Sequence, residues 1–406
     1  MNRFTHALLL LILGFNLVHA QVIVQGYTYN QKDKTPIAYT SIELFDKSRG
    51  TLTNDNGYFE LHLDSLPALI KVSCLGYETK MVPIPDTTFL SIALHPTIIP
   101  LREVQVKYQD DIAKLVEQTR NKAIKSRRNQ LTGRAFYRQF NNNDSVCTEV
   151  LESFYDICSN NNGIKSWDLT QARYGIKDVD TGNRVYIYNQ SVITRFLKVY
   201  ADATPGLDIS QAIVNQPRKQ RVYYEMANQY EDPSSGQQIV ELLFRSAKNK
   251  HDSTYGHIYI DEKTFDILKV QGTYVDKDNR LITPSGWERQ NVETIEKTKL
   301  DYEIRFKKLA EDVVTVDYIK TKVSLFTIYK KRKITLTSDS FFYVYEYDPE
   351  LSVNDMSPEV NDYENVKNLP YDPVFWFNNP IIKRNPIQQR LITEFERENI
   401  IGNLLN

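Results

Sequence analysis

The fold class is clearest in residues 256–270, which read GHIYIDEKTFDILKV. Two runs of alternating apolar and polar residues flank the polar turn Asp261-Glu262-Lys263-Thr264. Alternation with a period of two is typical of strands that have one covered face. The stretch therefore predicts a β-hairpin.

Side chains alternate between the two faces of a strand, so the odd or even position of a residue indicates on which face of the hairpin it lies. Four apolar side chains are expected on the covered side, and they are the candidate ligand-binding residues for an apolar ligand: Ile258, Ile260, Leu268 and Val270. Ile267 has the opposite parity to Val270, so both would face inward only if a bulge intervened.

Strand-like segments continue on both sides of the hairpin, from Ala135 to Tyr347. They are Thr148–Ile157, Arg184–Tyr188, Arg221–Met226, Ile239–Phe244, Leu300–Lys307, Val313–Lys320 and Phe341–Tyr347. A short helix and a loop are expected between Arg195 and Gln216, and Leu281–Gln290 interrupts the strands. Residues 131–347 therefore predict one large antiparallel sheet shaped like a half-barrel.

Residues 21–106 alternate short apolar runs with turn signals. The turn Asp55-Asn56-Gly57 precedes the strand Tyr58–Leu61, and both Asn and Gly tolerate the positive φ of a tight hairpin turn. About seven strands in roughly 85 residues, with turns every 8 to 12 residues, predict a β-sandwich.

Four pieces of this segment carry a family resemblance: Gly26, residues 35–38 (TPIA), residues 53–61 (TNDNGYFEL) and residues 72–79 (VSCLGYET). In order and spacing they resemble the carboxypeptidase regulatory-like domain. The resemblance implies a transthyretin-like sandwich that accompanies enzymes and outer-membrane receptors without catalysing a reaction. Structural roles are expected for Pro36 and Gly57 in turns, and for Gly76 where a side chain would obstruct.

A helix is expected over about residues 109–127, within a linker at 107–130. Its apolar face would consist of Ile112, Leu115, Val116, Thr119 and Ala123. Acidic residues open the segment and basic residues close it, which suits the helix dipole.

Residues 348–406 predict a Pro-rich tail with a terminal helix. Asn385 has the sequence signature of an N-cap, Pro386 would take the first helical position, and Ile387, Leu391 and Phe395 would share a face. One interpretation is a tail that wraps back and seals an edge of the β-domain. The other is a segment that docks on another envelope protein through the aromatic cluster Val374–Phe377.

Residues 1–20 have a basic start, a short apolar run and a small residue at the end, which predicts a signal peptide cut before Gln21. Because Gln21 is not a cysteine, no lipid anchor is expected there. The mature chain would carry 49 basic and 51 acidic residues, a net charge of −2. No nucleic-acid partner is therefore expected, because phosphate binding requires a basic surface.

A second resemblance rests on the hairpin and on the order of elements along the chain. The hairpin at 256–270 looks like one in periplasmic lipoprotein-sorting and lipid-carrier half-barrels. The order of sandwich, helix with Asn121-Lys122-Ala123, strand near Phe136-Tyr137, Glu152-Ser153 and hairpin is similar to an uncharacterised family of Gram-negative envelope proteins. Longer members of that family carry an outer-membrane barrel. The resemblance implies a location in the periplasm or at the outer membrane.

No motif for catalysis is present: the sequence has no nucleophile elbow, zinc-protease helix, phosphate-binding loop or dinucleotide fingerprint. His251 and His257 lack a third ligand at a recognisable spacing, so no metal is expected. Cys147 and Cys158 fall in one predicted strand, too far apart to pair, and with Cys74 they are expected as small buried thiols. We expect no catalytic residue and no cofactor.

The sequence therefore favours an exported, non-enzymatic envelope protein that binds an apolar ligand or scaffolds an outer-membrane partner. The alternative is a hydrolase in which the sandwich is an accessory domain, which clustering of His251, Asp252, His257 and Asp261 in one pocket would favour. A small outer-membrane barrel is disfavoured because charges occur on both faces of the strands.

Overall fold

A computed structural model describes residues 22–46, 50–97, 109–177, 193–194, 197–200, 222–232, 236–247, 251–279, 292–310, 312–352, 365–366, 368–379 and 381–402. The predicted signal peptide, its cleavage site, the strand at 184–188 and the interruption at 281–290 lie outside these residues. The chain divides into two compact units, Met1–Pro96 and Thr97–Asn406.

The first unit is a sandwich of two sheets. Its strands are β1 (Val22–Asn30), β2 (Ser41–Leu44), β3 (Gly50–Leu52), β4 (Tyr58–Leu63), β5 (Ala68–Ser73), β6 (Lys80–Ile84) and β7 (Leu90–Leu94). One sheet has the order β4-β1-β7 and the other the order β3-β2-β5-β6. Alternate side chains of both sheets form the apolar core, as in Val24, Phe59 and Val72. The predicted sandwich is confirmed.

Two expectations about its turns need correction. The turn at Asp55–Gly57 does bring Gly57 to a positive φ of 78°, but it joins β3 to β4, which belong to different sheets, so it is not a hairpin. A Cβ on Gly57 would lie 2.5 Å from the Thr28 carbonyl oxygen. At Gly76 no atom would obstruct a Cβ, and the glycine is needed for its φ of 87° instead.

The second unit contains a sheet of eleven strands, and the first of its helices precedes that sheet in the chain. Helix α1 (Gln109–Ser126) precedes β8 (Leu131–Asn143), β9 (Val146–Asn160), β10 (Gly163–Ile176), β11 (Val222–Asp232), β12 (Gln237–Ser246), β13 (Asp252–Asp261), β14 (Ile267–Asp276), β15 (Val292–Ala310), β16 (Val313–Tyr329), β17 (Arg332–Tyr347) and β18 (Ile401–Gly402). The strand order is β11-β12-β13-β14-β15-β16-β17-β8-β9-β10-β18, and every neighbouring pair is antiparallel.

One face of this sheet carries the large apolar core. Helix α1 packs into that core, and the whole predicted apolar face of the helix is buried: Ile112, Leu115, Val116, Thr119 and Ala123. Leu197 and Tyr200 from the segment before β11 are also fully buried in it. The helix is therefore part of the core of the second unit in addition to following the sandwich in the chain.

The predicted hairpin is present as β13 and β14, but a bulge changes its faces. Tyr259 pairs with Lys269 while Ile260 pairs with Ile267, so Leu268 has no partner across the ladder. Ile267 and Val270 consequently both join the core with Ile258 and Ile260. Leu268 is only half-buried, and its assignment to the covered side was wrong.

The tail folds back on the sheet, as one of the two interpretations expected. Helix α2 (Pro373–Asn378) and helix α3 (Pro386–Arg397) precede β18, which pairs with β10 at one edge. Asn385 caps α3 in a full capping box with Gln388. Ile392 and Phe395 are the buried residues of α3, whereas Ile387 is 67% exposed and does not share the covered face.

Within the described residues, none of the helices combines the length and the apolar character that crossing a membrane requires.

Candidate functional site

Two rows of side chains cross the face of the large sheet opposite the core. Strand register places the members of each row directly opposite one another on seven consecutive strands, β11 to β17. The first row is Tyr223, Arg245, Tyr255, Thr273, Asp301, Lys322 and Asp339. The second row is Glu225, Leu243, His257, Gln271, Glu303, Lys320 and Phe341.

These rows line a trough of about 740 Å³, to which every member except Phe341 contributes. That volume falls within the range of roughly 300–1,000 Å³ that is usual for ligand sites. Gly256 and Gly272 face each other across β13 and β14 and form part of the lining. A Cβ on Gly256 would overlap the Gln271 carbonyl oxygen, so the two strands can approach this closely only with glycine there.

The charged side chains of the trough are neutralised by neighbours. Arg245 lies 3.7 Å from Glu225, and Lys322 lies 3.1 Å from Asp339. Asp301 accepts hydrogen bonds from the Thr273 hydroxyl at 2.6 Å and from the Lys299 ammonium at 2.7 Å. Most charges of the trough are therefore paired with an opposite charge, and the carboxylates of the lining nearly balance its Lys and Arg side chains.

A half-buried hydrogen-bond network holds one wall of the trough. Glu241 Oε1 lies 2.6 Å from His257 Nδ1 and accepts from the Tyr259 hydroxyl at 3.0 Å. Burial, together with the neighbouring Glu241 carboxylate, raises the pKa of Tyr259. The phenol therefore stays protonated as a donor to Glu241, and the network fixes the orientation of the His257 ring.

The second row continues beyond the trough to a buried charge cluster. Phe341 pairs with Arg138, Arg138 with Glu152, and Glu152 with Arg173. Glu152 accepts from Arg138 Nε at 2.6 Å, from Arg173 Nε at 2.7 Å and from Arg384 Nη2 at 2.9 Å. We call these four residues the Glu152 cluster. Because Arg384 belongs to the tail, the cluster joins the tail to the sheet.

Burial and charge act in opposite directions on the Glu152 cluster. Burial alone would raise the pKa of Glu152, but Arg173, Arg384 and Arg138 outweigh it and hold that pKa well below 4.5. Burial lowers the pKa of Arg138 to about 10, against the opposing effect of Glu152. Glu152 and Arg138 are thus charged at neutral pH. Trp376 stacks on the Arg173 guanidinium at 4.6 Å.

The four residues whose clustering would favour an enzyme do not come together in the trough. His257 lines the trough, but His251 pairs with Asp278 at 2.7 Å. Asp261 accepts hydrogen bonds from the backbone of the β13–β14 turn, and Asp252 lies 3.5 Å from the Tyr274 hydroxyl. In the part of the chain that the structure describes, no group of three or more His, Cys, Asp or Glu side chains could hold a metal ion.

Three of the four predicted ligand-binding residues lie in the packed core, where Ile258, Ile260 and Val270 are at most 2% exposed. The three cysteines are thiols and form no disulfide; Cys147 is buried, and Cys74 and Cys158 are half-buried. Burial raises the pKa of the Cys147 thiol to about 12.

Neither the trough nor the buried ion pairs of the Glu152 cluster were predicted from the sequence. The outward parity of Tyr255 and His257 in β13 was a usable signal, since a half-exposed strand should turn such residues away from the core.

In the comparison with known proteins, the family match lies in the sandwich. No curated protein matches the chain. Residues 24–106 match the family model of the CarboxypepD_reg-like domain, in agreement with the two sheets and the turn chemistry of β1 to β7. The N-terminal unit of this chain is therefore a CarboxypepD_reg-like domain.

Proposed function

We propose that this protein is an exported envelope protein that binds or scaffolds other molecules without catalysing a reaction, and that its ligand site is the trough. The observation that carries the proposal is the trough itself, a cavity of about 740 Å³ built on one rigid sheet. Its rim presents the partly exposed apolar side chains of Tyr223, Leu243 and Tyr255. Concave sites with a few placed polar groups are the usual ligand sites of proteins.

The polar face of the large sheet, which carries the trough, can accommodate a ligand more easily than the apolar face, which carries the core. A cavity of about 570 Å³ lies between helix α1 and β11. Elsewhere helix α1 and the chain's own side chains fill the apolar side of the sheet, where Ile258, Leu197 and Ile304 are almost completely buried. An apolar ligand bound there would have to displace packed core. We therefore assign the ligand to the trough.

A hydrolase is the alternative, and the lining of the trough favours binding over proton transfer. Asp301 and Asp339 are each held by a neighbouring cation, and Glu303 accepts from the Tyr318 hydroxyl. Carboxylates whose oxygens already interact with fixed neighbours are poorly placed to take a proton from a substrate. The CarboxypepD_reg-like domain is compatible with both functions.

Native mass spectrometry of protein purified from the envelope tests the proposal. We expect a mature mass that begins at Gln21 and a retained non-covalent ligand. Gln271→Trp places a large ring in the middle of the second row and should abolish retention, whereas Arg332→Trp, at a 67% exposed side chain away from the trough, should not. Equal retention by both variants would show that the ligand lies elsewhere. Recovery with Met1 intact would refute export.

A further inference from the structure

The nearly balanced charge of the trough restricts the net charge of the ligand that it can bind. The lining contains four carboxylates, three cationic side chains and His257. Most of these charges have an opposite charge within 4 Å, as in Glu225 with Arg245 and Lys322 with Asp339. A strongly charged ligand would have to break such pairs and would gain little from the nearly neutral field. A neutral ligand leaves every pair in place.

Exposed flat apolar surface is concentrated at one end of the trough. Tyr223, Leu243 and Tyr255, on the adjacent strands β11, β12 and β13, are 44%, 39% and 51% exposed. Arg245 stacks on Tyr223 at 5.1 Å and limits the motion of that ring. Aromatic rings that remain exposed in a rigid cavity offer a large contact area at a small cost in side-chain entropy. The ligand should therefore have a flat face of C–H groups.

The floor of the trough offers side chains and almost no backbone groups. The N–H and C=O groups of these strands already pair in the sheet. An extended peptide laid across the floor would need partners for its own alternating N–H and C=O groups, which is the role of a free strand edge. Hydroxyl groups both donate and accept, and they match mixed carboxylate, ammonium and amide side chains such as Asp301, Lys320 and Gln271.

We propose that the trough binds a neutral saccharide of several rings, with sugar faces stacked on Tyr255 and Tyr223 and hydroxyl groups bonded to the polar side chains of the two rows. This inference rests on the proposed function and specifies its ligand. Seven strands spaced about 4.8 Å apart give the rows a length of roughly 29 Å along a flat sheet, which suits an extended oligomer.

Isothermal titration calorimetry with maltohexaose, cellohexaose, xylohexaose and chitohexaose tests this inference on the full mature chain. We expect at least one hexasaccharide to bind. Its affinity should fall roughly fivefold to tenfold in Tyr255→Ala, should be kept in Tyr255→Phe, and should not change in Tyr58→Ala, a control at a 40% exposed tyrosine of the sandwich. Because the ligand is neutral, affinity should not depend on salt between about 0.05 and 0.5 M.

Failure of all four saccharides to bind, or binding that Tyr255→Ala leaves unchanged, overturns the saccharide inference. A peptide or lipid that is retained by the native protein and lost in Gln271→Trp would overturn it too, while the trough would still be a binding site. Loss of the proposed function is a different result, in which Gln271→Trp and the wild type retain the same ligand.

Discussion

The charge of Glu152 should contribute strongly to the stability of the second unit. Its side chain is completely buried among three guanidinium groups. Removing one partner of a buried ion pair leaves uncompensated charge and costs about 3–5 kcal/mol. We expect Glu152→Gln to lower the free energy of unfolding by that amount. Urea unfolding followed by tryptophan fluorescence measures it, because Trp167, Trp287 and Trp376 all belong to the second unit.

Glu346→Gln is the matched control for this prediction. Glu346 also pairs with an arginine, Arg134, at 2.6 Å, but the two side chains are 43% and 36% exposed. Exposed pairs contribute about 0–1 kcal/mol. Equal losses in the two variants would contradict the assignment of Glu152 as the buried centre of the cluster.

Acid should reduce the difference in unfolding free energy between the wild type and Glu152→Gln. The three arginines hold the folded-state pKa of Glu152 well below 4.5, so its contribution is present above the unfolded-state pKa and is lost as pH falls through the folded-state pKa. We expect a constant gap in unfolding free energy from about pH 7 to pH 5 and a shrinking gap below about pH 4. A gap that widens in acid would mean that Glu152 is protonated in the folded protein.

At the scale of single elements, the β13–β14 hairpin shows what sequence patterns can and cannot predict. Alternation and turn chemistry placed both strands and the turn at Asp261–Thr264 correctly. The bulge at Leu268 was not predictable, because it is a two-against-one pairing that depends on the register with the partner strand. The trough was not predictable for the same reason. Its two rows of side chains form only when seven strands have paired in the observed order and register.

The bulge makes a quantitative prediction about the hairpin. Ile258 is 2% exposed in the core, so Ile258→Ala should cost about 2–5 kcal/mol of unfolding free energy. Leu268 is half-buried and unpaired in the ladder, so Leu268→Ala should cost less than roughly 1.5 kcal/mol. Tryptophan-detected urea unfolding compares the two variants directly. If Leu268→Ala lost as much unfolding free energy as Ile258→Ala, Leu268 would have to lie on the covered face.

The Glu152 cluster marks a second limit of sequence reasoning at the scale of elements. Arg384 and Glu152 are 232 positions apart in the chain, and neither lies in a recognisable motif with the other. Their contact exists because the tail crosses the outer face of β8, β9 and β10. The N-cap at Asn385, in contrast, was predictable, since the capping signal is contained within four residues.

At the scale of the whole molecule, the division of the chain into a sandwich and a β-rich region followed from composition and turn spacing alone. The boundaries of the domains, at residues 20, 106, 130 and 347, stay predictions. The compact units divide after Pro96, whereas the CarboxypepD_reg-like match extends to residue 106. The short segment between these two limits lies largely outside the described residues.

Independent folding of the sandwich is the prediction that belongs to this scale. The first unit has a closed apolar core of its own, with Val24, Ile42, Phe59 and Val72 fully buried. A fragment of residues 21–106 should therefore fold alone and unfold cooperatively, as domains of about 85 residues can. Because it lacks tryptophan, its urea transition is followed by circular dichroism. The transition should recur in the full chain as a component that tryptophan fluorescence does not report. A fragment with collapsed amide dispersion in its NMR spectrum would show that the sandwich depends on the rest of the chain.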